Sequence, residues 1–163
     1  MVEALRMDLT RLAPEAYKQL LQLEQAIAGK VDRKLLHLIK LRASQINGCA
    51  YCIGMHSDEA LRDGEVPERL VLLDAWHESA AFSEKERAAL QWVEELTLIA
   101  QSHASKDAFD GLKRFFSEEE IANLTLAGAL INSWNRIAIA SRAQYVAPHF
   151  HSAPVSERET EPV

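Results

Sequence analysis

Two Ser-x-x-Glu patterns, Ser83-Glu84-Lys85-Glu86 and Ser117-Glu118-Glu119-Glu120, constrain this chain more than any other feature. In each, the serine hydroxyl can take up an unpaired helical N–H while the glutamate reaches back to the serine's own N–H. Each therefore marks a helix start. The helix opened at Ser83 carries Leu90, Val93, Leu96 and Ile99 on its inner side. The one opened at Ser117 extends to about Tyr145, with Pro148 ending it.

The rest of the chain is punctuated in the same way. Pro14 and Glu15 suit a first turn, and the stripe Tyr17, Leu20, Leu21, Leu23, Ile27 closes at Gly29. Asp32 caps a helix from Arg33 to about Ile46 whose leucines and isoleucines occupy more than one face, which predicts burial on most sides. A further helix runs from Cys49 to about Arg62 and stops at Asp63-Gly64. Pro67 opens another, with Leu70, Leu72, Leu73 and Trp76 as core candidates, and a short one spans Lys106 to Phe116. Strand patterns are nearly absent. The expectation is an all-α fold of six or seven helices in one domain over residues 1–147, with a polar, flexible tail over 148–163.

Composition narrows the class further. With 48% hydrophobic and 26% charged residues, the chain has the balance of an ordinary globular protein. No apolar run approaches the roughly 18 residues of a membrane span, and Met1 to Thr10 lacks a signal-peptide core, so a cytoplasmic protein with no membrane partner is expected. A net charge of −6 without a basic stripe argues against nucleic acid as a partner.

Both cysteines fall in Asn47-Gly48-Cys49-Ala50-Tyr51-Cys52-Ile53-Gly54-Met55-His56. Asn-Gly breaks the preceding helix, so Cys49 lies where the next begins, and His56 is one turn beyond Cys52. A helix N-terminus offers unpaired amides and partial positive charge, both of which favour thiolate over thiol. Two cysteines are too few for a disulfide scaffold, and a Cys-x-x-Cys pair in a reducing compartment points to redox chemistry or a metal. Zinc is the alternative, with His37, Cys49, Cys52 and His56 as two nitrogens and two sulfurs.

The run Leu38-Ile39-Lys40-Leu41-Arg42-Ala43-Ser44-Gln45-Ile46-Asn47-Gly48-Cys49-Ala50-Tyr51-Cys52, with His56 following, closely resembles the AhpD-like alkylhydroperoxidases of the carboxymuconolactone decarboxylase superfamily. Trp76-His77-Glu78-Ser79 through Phe82-Ser83-Glu84, and Ile131-Asn132-Ser133-Trp134-Asn135-Arg136, resemble its peroxidase-related branch. The resemblance implies an all-helical protein that assembles as a dimer, trimer or hexamer. It also implies a thiol peroxidase whose two cysteines cycle between dithiol and disulfide, with a hydroperoxide as substrate and an external thiol or dithiol as reductant. No haem, flavin or nicotinamide motif appears, and no bound cofactor is expected.

Relatives commonly carry a glutamate twelve residues before the first cysteine as part of a proton relay; here that position is His37, an imidazole able to pass a proton near neutral pH. On this reading Cys52 attacks the peroxide with His56 as its base, and Cys49 resolves the sulfenic acid. The reverse order has in its favour that Cys49 lies nearer the helix start. A non-catalytic redox sensor using the same disulfide is the other functional reading. Tyr51, Trp134, Asn135 and Arg136 read as structural, Glu65 and Glu68 as solvated surface, and the tail histidines His149 and His151 as only a superficial metal tract.

Overall fold

The computed structural model describes residues 4–146. Among these there is no strand. The chain runs through α1 (Leu9–Leu12), α2 (Pro14–Ala28), α3 (Arg33–Asn47), α4 (Ala50–Arg62), α5 (Pro67–Leu72), a 3-10 turn (Leu73–Ala75), α6 (Glu84–Thr97), α7 (Ile99–Ser102), α8 (Lys106–Leu112) and α9 (Glu118–Ser141). All seven expected helices are present; α1 and α7, of four residues each, are additional.

Helix α3 is the axis of the bundle. It packs against α4, α6 and α9, and Leu35, Leu36, His37, Leu38, Ile39, Leu41, Ala43 and Ser44 are all buried, as its apolar surround predicted. One side of α3 contributes Leu35, Leu36, Ile39 and Ala43 to a core shared with Trp92 and Val93 of α6 and Leu124, Ala127 and Ile131 of α9. The other side sends Leu38 and Leu41 into a second core with Ala60, Leu73, Trp76, Phe82 and Leu90. At about 25 cal/mol per Å² of apolar surface, these two cores are the main favourable term holding the bundle together.

Both capping boxes form. Ser83 and Ser117 each accept from the N–H three residues on, and the N–H of each serine donates to its glutamate, Glu86 or Glu120, at 2.7 Å. The helix ends differ from expectation where backbone geometry overrides side-chain pattern. Helix α6 stops at Thr97 because Leu98 leaves helical dihedrals, which puts Ile99 on α7 and leaves it 46% exposed rather than in the core. Arg142 takes a left-handed conformation at φ 58° and ends α9 four residues before Tyr145. Helix α8 closes at Leu112, short of Phe116, and Leu72 and Leu21 face solvent. Glu65 is not a solvated surface residue: its side chain is 8% exposed and pairs with Arg69 at 3.0 Å. The expected tail over 148–163, with His149 and His151, lies outside the described residues. No helix among those described is long and apolar enough to cross a membrane.

Candidate active site at the start of α4

The join between α3 and α4 fixes the cysteines. Gly48 sits at φ 67°, in the left-handed region that costs a residue with a side chain about 1 kcal/mol or more. Its N–H donates to Gln45 O at 3.1 Å, and the N–H of Cys49 donates to Ser44 O at 3.0 Å. These two bonds are the paired closure of a Schellman C-cap. Cys49 is thereby the last residue tied to α3 and the N-cap of α4, its Sγ accepting from the Cys52 N–H at 3.3 Å. Cys52, in the first turn, packs with Cys49 and Ala138 of α9.

The amides of the helix start act most strongly on Cys49, which accepts from two of them. The Cys52 thiol donates to the Cys49 sulfur, and with the N–H groups of Cys52 and Tyr51 it holds the Cys49 thiol at about 7, against an ordinary 9.0. Cys52 is pushed up, because its proton is the one in that bond and burial disfavours a second anion. The pair behaves as one acid whose remaining proton lies between two sulfurs.

A cavity of about 400 Å³ opens beside this pair. Cys52 and His56 lie on its wall, together with Tyr51, Met55, Trp134 and Ile137, and Leu5, Met7 and Leu9 of the N-terminal segment line it too. Cys49 is not on that wall. Tyr51 both packs and lines the cavity, its ring edge-on to Tyr145 at 5.8 Å. The polar end is the ion pair of Lys40 with Glu24, the latter also accepting from Trp134 Nε1 at 3.0 Å.

His56 is buried, and its Nδ1 lies 2.9 Å from Glu59 Oε2, one turn further along α4. That hydrogen bond is the first cause holding the Glu59 carboxyl below its ordinary value. A carboxylate on Nδ1 fixes the tautomer and leaves Nε2 as the free proton acceptor. Glu59 was not expected at the site; its only sequence signal is the three-residue spacing from His56.

His37 stands elsewhere. Its Nε2 is 2.5 Å from Asp63 Oδ2, which Arg33 also holds at 2.5 Å. It faces a second cavity of about 590 Å³ whose wall shares Lys40 and Glu59 with the first. The four residues weighed for zinc do not converge: among the described residues no three His, Cys, Asp or Glu side chains group to hold a metal ion.

The fold has known counterparts. Residues 14–95 match the carboxymuconolactone decarboxylase family. The chain is 38% identical over 136 residues to the uncharacterised protein YdfG of Bacillus subtilis (strain 168), spanning 83% of this chain and 92% of YdfG. A crystal structure from Agrobacterium tumefaciens, of a protein of unknown function whose name ties it to AhpD and antioxidant defence, superposes with TM-score 0.86 at 42% identity, over 88% of this chain and 99% of that one. The debrominase Bmp8 superposes with TM-score 0.71 at 25% identity, over 82% of this chain and 73% of Bmp8. The chain belongs to the carboxymuconolactone decarboxylase family and has the AhpD-like fold.

Proposed function

We propose that this protein is a thiol-dependent peroxidase of the alkylhydroperoxidase type, which reduces organic hydroperoxides through a Cys49/Cys52 dithiol–disulfide cycle. The observation that carries this reading is the division of labour between the sulfurs. Cys52 lies with His56 on the wall of a mostly apolar cavity, while Cys49 sits behind it with its charge stabilised at the helix cap.

The cycle balances as follows. With the shared proton on Cys49, the Cys52 sulfur attacks the outer peroxide oxygen; an S–O bond forms and the O–O bond breaks. His56, which has taken the pair's first proton as base, returns it to the departing alkoxide, and Glu59 steadies the imidazolium in between. The Cys49 sulfur then attacks Cys52, the S–S bond forms, and hydroxide leaves as water with the Cys49 proton. An external thiol or dithiol returns the pair to the reduced state. Glu59 takes the carboxylate role for which His37 was the expected substitute, and His37 shares the wall of the second cavity with it.

The cavity supports an organic substrate, since Met55, Trp134 and Ile137 offer apolar contact that hydrogen peroxide cannot use. Exposed Leu5, Leu12, Leu21 and Leu23 support the homo-oligomer, and a cytoplasmic location suits a reducible pair. The test is NADPH-coupled consumption of cumene hydroperoxide with thioredoxin- and lipoamide-type reductants. Continuous turnover is expected. Disulfide formation without turnover would favour the sensor, and halide release from a bromopyrrole without peroxide consumption would move the chemistry toward that of Bmp8.

A further inference from the structure

Asn135 of α9 is fully buried, and its amide orientation is dictated from both ends of a hydrogen-bonded chain. At one end, Ser44 Oγ donates its only hydrogen to Lys40 O at 2.7 Å, so towards Asn135 it can only accept, and the atom 3.0 Å away is Nδ2. At the other end, Asn132 Nδ2 must face Gly128 O at 2.9 Å, because a carbonyl only accepts. Its Oδ1 then accepts from Asn47 Nδ2 at 2.9 Å. The second hydrogen of Asn47 goes to Asn135 Oδ1 at 2.8 Å. Asn135 is thus left with one unassigned hydrogen, the second N–H of its amide.

That N–H lies beside the thiol pair. Cys49 N is bonded to Ser44, and Ala138, one turn beyond Asn135 on α9, packs directly on Cys49 and Cys52. We propose that Asn135 is a thiolate-stabilising residue, its second amide hydrogen directed at the Cys49/Cys52 sulfurs by the Ser44–Asn135–Asn47–Asn132 network. A donor in that position favours the thiolate over the thiol at either sulfur. The titratable groups around the pair are Tyr51 and His56 of α4, with Glu59 behind the histidine, and Tyr17, Glu24 and Lys40 across the cavity; α9 presents the neutral Asn135 and Ala138. A neutral donor in a buried site holds thiolate charge without adding a countercharge that would bind reductant or substrate.

The inference rests on the thiol reading, but its test needs neither peroxide nor reductant. Thiolate absorbance at 240 nm is titrated in the reduced protein, alongside a variant with both cysteines changed to serine as the blank. The wild-type midpoint is expected near 7, and Asn135→Ala should raise it by about one unit, the worth of one hydrogen bond to an anion. Asn135→Asp keeps the shape and places an acceptor where the donor was, so it should raise the midpoint further. Should either variant fail to fold, the ¹⁵N-labelled wild type decides: one side-chain amide proton of Asn135 should shift with the thiol midpoint. An unchanged midpoint in a folded variant, a wild-type midpoint at the ordinary thiol value, or an Asn135 amide that does not titrate would overturn the proposal. A protein that shows the shifts yet consumes no hydroperoxide would sink the peroxidase reading and leave Asn135's role intact.

Discussion

Glu59 Oε2 and His56 Nδ1 stand 2.9 Å apart on successive turns of α4, which makes the helix that carries the cysteines the source of the carboxylate behind the base as well. Glu59→Gln keeps an acceptor for the Nδ1–H but removes the charge that steadies an imidazolium. Peroxide turnover should fall about tenfold or more, with KM for the hydroperoxide little changed, because the loss is in proton transfer rather than in binding. Steady-state kinetics of the variant checks this; full activity would remove Glu59 from the relay.

His37 is engaged by Asp63 and looks into the second cavity, so His37→Ala should leave the rate and its pH profile intact. Its cost should appear in stability, about 1–2 kcal/mol for emptying a nearly buried site on the central helix. Urea denaturation alongside the kinetic profile separates the two effects. A collapsed rate with a normal fold would restore His37 to the proton path.

The pH dependence follows from the thiol pair. Cys49 is held at about 7 by the hydrogen bonds it accepts, so the reactive monoanion prevails above that pH and is lost below it. Single-turnover disulfide formation should therefore be flat above about pH 8 and fall about tenfold per unit well below 7. Stopped-flow intrinsic fluorescence across pH 5 to 9 checks the sign; a rate that rises as pH falls would contradict it.

Gly54 of α4 lies directly against Tyr145 in the segment after α9. A Cβ there would meet Tyr145 Cδ1 at 2.3 Å, and the edge of a rigid ring must move away. Gly54→Ala gains about 1 kcal/mol of helix propensity. It loses the Tyr51–Tyr145 edge contact and the Tyr145–Asp58 hydrogen bond, worth about 1 kcal/mol each. The losses exceed the gain by about 1 kcal/mol, so the melting temperature should drop by roughly a few degrees while nuclear Overhauser contacts between Tyr51 and Tyr145 vanish. Persistence of those contacts would show that the cavity wall does not depend on Gly54.

Much of this was legible in the residues because it is local. Ser-x-x-Glu caps, the Asn-Gly stop before Cys49 and the all-round apolar surface of α3 depend on neighbours within a turn or two, and each appears as expected. Helix ends at Leu98 and Arg142 escaped because no glycine or proline marks them; the backbone turns there for tertiary reasons. Glu59 escaped because a surface-type carboxylate at three residues from a histidine is commonplace. Asn135 escaped for a stronger reason. Its partners Ser44 and Asn47 lie about ninety positions away, and only packing of α3 on α9 joins them. His37 shows the converse case: its place twelve residues before Cys49 could be read from the sequence, but its hydrogen bond to Asp63, twenty-six residues on, could not.

Trapping the first oxidised sulfur tests the central claim most directly. Cys49→Ser and Cys52→Ser variants are treated with one equivalent of cumene hydroperoxide, captured with dimedone and read by mass spectrometry. Cys52 lines the cavity and Cys49 does not, so a stable sulfenic acid on Cys52 is expected in the Cys49→Ser variant, with the Cys52→Ser variant unreactive. Sulfenic acid on Cys49 in the Cys52→Ser variant, with Cys52 silent in the other, would contradict it.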